Sequence, residues 1–175
     1  MASRDFTGPW QSRAILDAFQ TLLLREFLRP SPELWILSAW ISDVEVVDNS
    51  ARAFSAVCPN WSAGPIRLSR VIASLLDQDS RVAVVLRDVQ HNVQFVRTLR
   101  NLQSRADGRL GIALSPGAHE KSVVGEDYIL GGSMNLTYGG LTANDEHVLL
   151  RADGRAAAAR RLALRERWEA SLSWR

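Results

Sequence analysis

The sequence predicts an α/β fold in which a mixed β-sheet carries helices on both faces. Three observations support this prediction. The 175 residues suit one domain with a substantial core. A composition of 46% hydrophobic and 23% charged residues is that of an ordinary globular protein. Short, nearly continuous apolar runs alternate with segments of helical periodicity, without a visible repeat or linker, so we expect residues 1–175 to form a single domain.

The first half of the chain predicts two helices with a buried strand between them. Apolar residues recur at helical spacing over residues 15–27, and the proline-containing segment 29–32 ends that pattern. Residues 34–41 are nearly continuous in apolar side chains and follow the prolines, which is typical of a buried strand. A second helix is predicted over about residues 67–76.

The second half continues this alternation. Residues 82–86 predict a buried strand, followed by a helix through residues 93–102 and a further strand at residues 110–114. Another strand is predicted at residues 148–150, and a closing helix at residues 156–172.

Arginine supplies almost all of the positive charge. The chain has twenty arginines and one lysine, yet the net charge is only +2, an excess that fits many enzymes as well as nucleic-acid-binding proteins. The sequence pI of about 9.2 is compatible with a nucleic-acid partner. Four arginines lie on the predicted closing helix, at positions 160, 161, 165 and 167. They could contact phosphates, although a solvated helix face is the more usual role.

The remaining composition favours a cytoplasmic protein. Residues 1–13 lack the basic start and apolar stretch of a secretory signal, and no run approaches the roughly 18 apolar residues of a membrane span. Cys58 is the sole cysteine, so no intrachain disulfide is possible. Its neighbours supply no metal-ligand spacing, and we expect it in the core.

The single lysine, Lys121, stands two residues after His119. Because the chain otherwise uses arginine for positive charge, this position indicates a site where a guanidinium will not serve. A lysine ammonium is a compact point charge that can contact one phosphoryl oxygen where a planar fork would be too wide. With an imidazole beside it, the position predicts phosphate chemistry.

Residues 119–135 predict a β-hairpin. One strand carries the pair His119 and Lys121, and the other carries the pair Ser133 and Asn135, which are also two residues apart. On a strand, His119 and Lys121 would share one face. A turn centred on Glu126 would place His119 opposite Ser133, and Lys121 opposite Gly131. The polar side chains of both strands would then meet at the open end of the hairpin.

The segment after the hairpin predicts a phosphate-binding helix start. Gly131 and Gly132 remove side chains where a backbone or ligand comes close. Asn135 is expected near the N-cap of one or two helical turns, where free N–H groups attract anions.

These residues resemble a known motif. The segments 119–121 (His-Glu-Lys) and 132–135 (Gly-Ser-Met-Asn), followed by the acidic pair at 145–146, are similar to the HKD motif of the phospholipase D superfamily. That motif reads His-x-Lys, four residues, Asp, then Gly-Ser-x-Asn, and the family has the α/β fold predicted above. Glu126 occupies the aspartate position, the spacing to Gly132 is one residue shorter than usual, and Asp127 is the alternative acid. In the family this acidic position is mainly structural.

The resemblance implies attack on a phosphodiester through a phosphohistidine, without a metal ion or other cofactor. His119 would be the nucleophile in one subunit and the general acid in the other, since the chemistry needs two motifs and short family members supply them as homodimers. Lys121 and Asn135 would bind nonbridging oxygens, and Ser133 would help to orient them. Glu146 would accept a hydrogen bond from His119 and hold its tautomer.

Other polar and aromatic residues are weaker candidates. His91 lies in a segment predicted to be helical, and His147 has no following lysine, so neither starts a second motif. The resemblance places the loop after the first buried strand near the site, where Ser42 or Asp43 could line the cleft. The aromatic residues of segment 34–41 could stack on bases, but burial in the sheet is the favoured account.

The resemblance favours a nuclease, because short single-motif members more often cut DNA or RNA than lipid. Similar proteins occur in bacterial DNA-modification and defence gene clusters, so proteins of a defence system are possible partners. One alternative is a phospholipid phosphodiesterase, which would need an exposed apolar surface near the cleft. The other is a non-catalytic subunit that binds nucleic acid in a defence complex.

Overall fold

An eight-stranded mixed sheet forms the centre of the computed structural model, which describes residues 2–7 and 11–174. Within these residues the strands are β1 (Ala2–Thr7), β2 (Glu33–Ser38), β3 (Glu45–Asp48), β4 (Pro65–Arg67), β5 (Arg81–Arg87), β6 (Leu110–Ser115), β7 (Ser122–Val124), β8 (Tyr128–Gly132), β9 (His147–Ala152) and β10 (Ser173–Trp174). The α-helices are α1 (Ser12–Leu28), α2 (Leu68–Leu76), α3 (Val93–Gln103) and α4 (Gly154–Trp168). Residues 1, 8–10 and 175 of the predicted domain lie outside the described residues.

The sheet combines parallel and antiparallel pairing. Its strands run in the order β1-β9-β8-β7-β2-β5-β6-β10, and β3 pairs with β4 in a separate hairpin. Strands β2, β5 and β6 are parallel, whereas β7, β8, β9 and β1 continue the sheet in antiparallel pairs. The carboxyl ends of the parallel strands therefore lie at one edge, beside the start of β7 and the end of β8.

Helices cover both faces of the sheet, as the sequence predicts. On one face, α1, α2 and α3 pack against a large cluster that includes Ile36 and Val84. On the other face, Leu164 and Trp168 of α4 pack against Trp35 and other inward residues of β2 and β5. The alternation of side chains along each strand supplies both clusters. Because both faces of β2 are covered, all six of its residues are buried.

Most predicted elements occur near their predicted bounds, and the differences have simple causes. The strand predicted at residues 34–41 ends at Ser38, since the chain then leaves the sheet and Ile41 forms only an isolated bridge with Leu136. The closing helix starts at Gly154, where the Asp153 carboxylate accepts a hydrogen bond from Ala156 N–H at 3.0 Å, and it ends at Trp168. Strand β1 was not predicted, because Phe6 is its only buried residue and the strand has no apolar alternation.

Two expectations concern the core and membranes. Cys58 is buried, as predicted, and burial raises the pKa of its thiol to about 11. Among residues 2–7 and 11–174, no helix is both long enough and apolar enough to cross a membrane.

Glu33 is a buried carboxylate that ties α4 to the sheet. It is 1% exposed, and it accepts hydrogen bonds from the indole N–H of Trp35 at 2.6 Å and from Arg165 Nε at 3.0 Å. Arg81 of β5 approaches its other oxygen at 3.5 Å. One side chain thus joins two neighbouring strands and the helix above them.

We expect Glu33→Ala to lower the free energy of unfolding by about 3 kcal/mol, because it leaves the buried Trp35 N–H without an acceptor and removes both ion pairs. Urea unfolding followed by tryptophan fluorescence would measure the loss. Glu45→Ala is the matched control, since that carboxylate is 55% exposed and lies 3.7 Å from Arg67. Its cost should stay within about 0.5 kcal/mol. Equal losses in the two variants would contradict this role of Glu33.

Candidate active site

The predicted site residues come together at the edge where the parallel strands end. His119 and Lys121 directly precede β7, whose start pairs with the end of β2 through Ser122 and Leu37. Ser133 and Asn135 directly follow β8, and Glu146 directly precedes β9. The antiparallel order β7-β8-β9 brings these three chain segments to the same edge of the sheet.

His119 and Lys121 are in direct contact. The Lys121 ammonium lies 3.3 Å from both ring nitrogens of His119 and donates a hydrogen bond to the His119 carbonyl oxygen at 2.7 Å. Neither residue belongs to a strand, since β7 starts at Ser122, so the prediction of a shared strand face is wrong. The bond from the Lys121 ammonium to the His119 carbonyl instead holds the two residues together.

The charge of Lys121 is held in a partly buried place. Burial lowers the pKa of its ammonium, the nearby Glu146 carboxylate acts in the opposite direction, and the guanidinium of Arg87 lowers the pKa further. His119 is exposed to solvent at the mouth of the site. A cation and an accessible imidazole therefore lie side by side.

The hairpin register differs by one from the prediction. Ser122 pairs with Gly131, and the Lys121 carbonyl accepts from Gly132 N–H at 3.2 Å. The cause is a four-residue turn, closed by a hydrogen bond of 3.1 Å from Gly125 N–H to the Tyr128 carbonyl. Lys121 therefore lies opposite Gly132 instead of Gly131, and His119 has no strand partner.

Ser133 is bound tightly to the start of β9. Its N–H donates to the His147 carbonyl at 2.9 Å, and its Oγ accepts from His147 N–H at 2.9 Å. The same Oγ donates to the Glu146 carboxylate through a short contact. A Cβ at Gly132 would overlap the His147 carbonyl oxygen, so only glycine permits this close approach.

Glu146 accepts hydrogen bonds from residues other than His119, its predicted donor. Its buried carboxylate accepts from Ser133 Oγ and, at 3.2 Å, from Asn144 Nδ2. A bond to His119 is not among the hydrogen bonds of the described residues, in which each Glu146 oxygen has another partner. The proposed effect of Glu146 on the His119 tautomer stays a prediction.

Asn135 holds the loop after β2 and does not cap a helix. Its carboxamide oxygen accepts from Trp40 N–H at 3.1 Å. The next helical turn is a π-helical turn, Gly139–Ala143, so the N-cap prediction for Asn135 is wrong. Thr137 Oγ1 accepts from Gly140 N–H at 3.2 Å at the start of that turn. The carboxamide nitrogen of Asn135 has no donor contact among the hydrogen bonds of the described residues.

An open cleft of about 610 Å³ lies over these residues. His119, Lys121 and Ser133 line it, together with Gly131 and Ile129 from the strand face. Asn135 and Glu146 do not line this cleft. A phosphoryl group in it would meet an imidazole, an ammonium and a hydroxyl, which together can supply a nucleophile, a charge and a hydrogen-bond donor.

Two arginines lie near the cleft, of which Arg87 was not predicted and Arg160 was predicted only as part of the closing helix. Arg87 ends β5, and its Nε donates to the Pro116 carbonyl at 2.9 Å, next to the turn that leads to His119. Its position at the carboxyl end of a parallel strand is the sequence signal that could have found it. Arg160 of α4 lines the cleft but pairs closely with Glu120.

The other three arginines of the predicted run have partners within the molecule. Arg161 donates to the Glu126 carbonyl at 2.8 Å, Arg165 binds Glu33, and Arg167 lies 4.8 Å from the centre of the Trp168 ring. The predicted alternatives were phosphate contacts or a solvated face. Instead, the run mainly fastens α4 to the sheet and to the hairpin turn.

Asp127 makes the structural contacts of the acidic motif position. Its carboxylate lies 2.6 Å from Arg25 Nη2 and 3.3 Å from Arg29 Nη1. Glu126 contributes its backbone N–H, which donates to Ser31 Oγ at 2.7 Å. The shift of the acid by one residue agrees with the four-residue turn.

The remaining histidines have partners away from His119. His91 Nε2 lies 3.0 Å from Ser42 Oγ, and His147 Nε2 lies 2.7 Å from Asp5 Oδ1. Asp43 accepts from the N–H and hydroxyl of Ser69 at the start of α2, at 2.8 and 2.7 Å, so it supports a helix. Among residues 2–7 and 11–174, no group of three or more acidic, histidine or cysteine side chains could hold a metal ion.

Comparison with solved structures identifies the fold. Nuc from Salmonella typhimurium, a phospholipase D family member, superposes with a TM-score of 0.63 at 11% identity, covering 98% of this chain and 96% of its own. Phosphatidylserine synthase from Haemophilus influenzae Rd KW20 gives 0.62 at 15% identity, covering 98% of this chain and 39% of its own. TrmBL2, an archaeal chromatin protein with a novel mode of DNA binding, gives 0.55 at 13% identity, covering 98% and 53%.

These likenesses, with the sheet order and the edge site, define the phospholipase D-like class of α/β sandwich. The chain has the phospholipase D fold, as the resemblance of its motif implied. No protein-family model and no curated protein sequence matches the chain.

Proposed function

We propose that this protein is a metal-independent phosphodiesterase that cleaves DNA or RNA through a phosphohistidine, in an active site shared by a homodimer. The observation that carries the proposal is the contact between the solvent-exposed His119 ring and the Lys121 ammonium in an open cleft. This pair would offer a nucleophile and a positive charge to a phosphodiester bound in the cleft.

The chemistry follows from these side chains. A ring nitrogen of His119 attacks phosphorus, and the bond from phosphorus to the leaving oxygen breaks while a second histidine donates a proton to that oxygen. Water, deprotonated by the second histidine, then attacks the phosphohistidine and releases His119. Lys121 holds a nonbridging oxygen in the cleft as negative charge develops. The carboxamide N–H₂ of Asn135 would hold the other where the substrate extends beyond the cleft towards the loop after β2.

The second histidine is best supplied by another copy of the chain. The side chains of His91 and His147 contact Ser42 and Asp5, whereas that of His119 lines the cleft beside Lys121. The sheet face beside the cleft also favours a partner. Gly131 lines the cleft, and Leu149, opposite Gly131 on the next strand, is 40% exposed. A second copy over this face would bring a second His119 towards the first.

Nucleic acid is the favoured substrate. The motif resembles that of short family members that cut DNA or RNA, and TrmBL2, which shares the fold, is described as binding DNA. The fold shared with phosphatidylserine synthase supports the lipid alternative. A lipid enzyme needs a contiguous apolar surface at its cleft. In the described part of the chain, the large exposed apolar side chains lie on six separate segments: Leu28, Trp40, Val93, Tyr138, Leu149 and Leu162.

One experiment tests the proposal. The protein is incubated in EDTA with single-stranded DNA, duplex DNA, RNA and phosphatidylcholine vesicles. We expect cleavage of nucleic acid that persists in the chelator, because His119 and Lys121 supply the charge that a metal would otherwise provide. A strict requirement for added Mg²⁺ would contradict the histidine mechanism. Hydrolysis of the vesicles alone would favour the lipid alternative, and binding of nucleic acid without cleavage would favour a non-catalytic subunit of a defence complex.

Light scattering after size exclusion tests the shared site. We expect a mass of twice the 19.4 kDa of one chain. A monomer that retains full activity at all concentrations would contradict the homodimer.

A further inference from the structure

Trp40 is an exposed tryptophan beside the candidate active site. Trp35, Trp61 and Trp168 are buried, with exposed fractions of 0%, 4% and 6%, whereas Trp40 is 48% exposed. It lies two residues beyond the end of β2, at the same sheet edge as His119, and its N–H donates directly to the Asn135 carboxamide. The packing of the core therefore does not account for this aromatic ring.

The backbone of Trp40 is fixed from both sides. Its carbonyl accepts from Ser38 Oγ at 2.6 Å, in addition to the 3.1 Å bond from its N–H to Asn135. The next residue, Ile41, is fully buried, and its N–H donates to Asn92 Oδ1 at 2.8 Å. Ser42 N–H then donates to the Leu136 carbonyl at 2.9 Å. A ring on so constrained a backbone can bind a ligand with little loss of conformational entropy.

We propose that Trp40 stacks on a base next to the scissile phosphate, so that the enzyme takes nucleic acid whose bases are unpaired at the cleavage site. The inference rests on the proposed function, in which Asn135 holds an oxygen of that phosphate. A base attached to the same stretch of nucleic-acid backbone would come close to Trp40, whose N–H binds Asn135 directly. Base stacking on an aromatic side chain stabilises a single strand with little regard to sequence. In a duplex the bases are already stacked and paired, and offer no free face to Trp40.

The polar surroundings fit a strand that passes the ring. Ser42 follows two residues later on the same loop, and Arg87 supplies a positive charge near Lys121. Hydroxyl and guanidinium groups are common partners of phosphate oxygens. A lipid chain would meet these polar groups instead of a continuous apolar surface.

The test compares Trp40→Ala and Trp40→Phe with the wild type. Tyr138→Ala is the matched control, since it removes an aromatic side chain that is 74% exposed and lines a different groove, beside α1 and β3. Each variant is assayed on a short single-stranded oligonucleotide, on its duplex and on bis(p-nitrophenyl) phosphate, which has no base. Fluorescence anisotropy measures the affinity for a labelled, uncleavable oligonucleotide, and light scattering reports the oligomeric state.

We expect Trp40→Ala to lower affinity and kcat/KM for the single strand about tenfold more than it lowers kcat/KM for the small diester. Trp40→Phe should recover most of this loss, and Tyr138→Ala should show none of it. Equal losses on both substrates, a wild-type preference for duplex, or dissociation of a dimer by Trp40→Ala would overturn the inference. Failure of the proposed function looks different, since the wild type would then cleave neither diester, while anisotropy would still report whether Trp40 binds the strand.

Discussion

Replacing His119 with alanine is expected to lower the rate of phosphodiester cleavage by at least about 1,000-fold, because no other side chain in the cleft can form the phosphohistidine. Gel assays with a labelled oligonucleotide in EDTA would measure the loss. The exposed position of the ring means that the substitution should leave the unfolding midpoint nearly unchanged. Activity and stability therefore separate in this variant.

His91→Ala is the matched control for this loss. It removes an exposed imidazole at the same sheet edge that contacts Ser42 and not Lys121. We expect it to retain cleavage activity within about threefold of the wild type, as for a surface substitution. If His91→Ala were as inactive as His119→Ala, the second histidine would come from the same chain, and the shared site would be wrong.

Replacing Lys121 with arginine is expected to lower kcat/KM by about 100-fold, although the positive charge is kept. The ammonium reaches the His119 carbonyl and both ring nitrogens from one point, and a wider guanidinium cannot take that place without displacing the imidazole. Arg160→Lys is the control, since it makes the opposite exchange in the same cleft at a residue paired with Glu120. A change of no more than about threefold is expected there.

The pH dependence of activity is a second test of the role of Lys121. Lys121 acts as a cation, and its pKa is lowered, first of all by burial. Raising the pH through this lowered pKa removes the charge, so wild-type activity should decline at a pH below the ordinary lysine range. In Lys121→Arg the residual activity should lack this decline, because the guanidinium stays protonated. Identical alkaline limbs in the two proteins would mean that another group causes the decline.

The sequence predicted the interior of this fold better than its margins. Residues 34–38 and 82–86 read as buried strands because both faces of β2 and β5 are covered, which leaves a nearly continuous apolar run. Strand β1 has one buried residue, and β10 has none. Such edge strands are held by backbone pairing with a neighbour, and their own side chains carry no periodic signal.

The candidate site was also predicted only in part: the local spacing of residues was informative, but their contacts with distant segments were not. Spacing alone placed His119 beside Lys121, since two residues on one short segment have few ways to separate. The pairing across the hairpin depended on turn length, and a four-residue turn moved the register by one. Glu146 binds Ser133, which follows β8, and Asn135 binds Trp40 in the loop after β2, and both of these partners are distant in sequence. No local pattern records such contacts.

The internal pairing of the α4 arginines has a consequence for the response of binding to ionic strength. A protein that binds DNA through a basic helix displaces many counterions from the phosphates, and its affinity for DNA falls steeply as the salt concentration rises. Here Arg160 and Arg165 are neutralised by Glu120 and Glu33, and Arg161 is held by backbone carbonyls. These three arginines are therefore not free to displace counterions from a polyanion, so α4 should add little to the salt dependence of affinity. Recognition would then depend on short-range contacts at the sheet edge, which ionic strength screens only weakly.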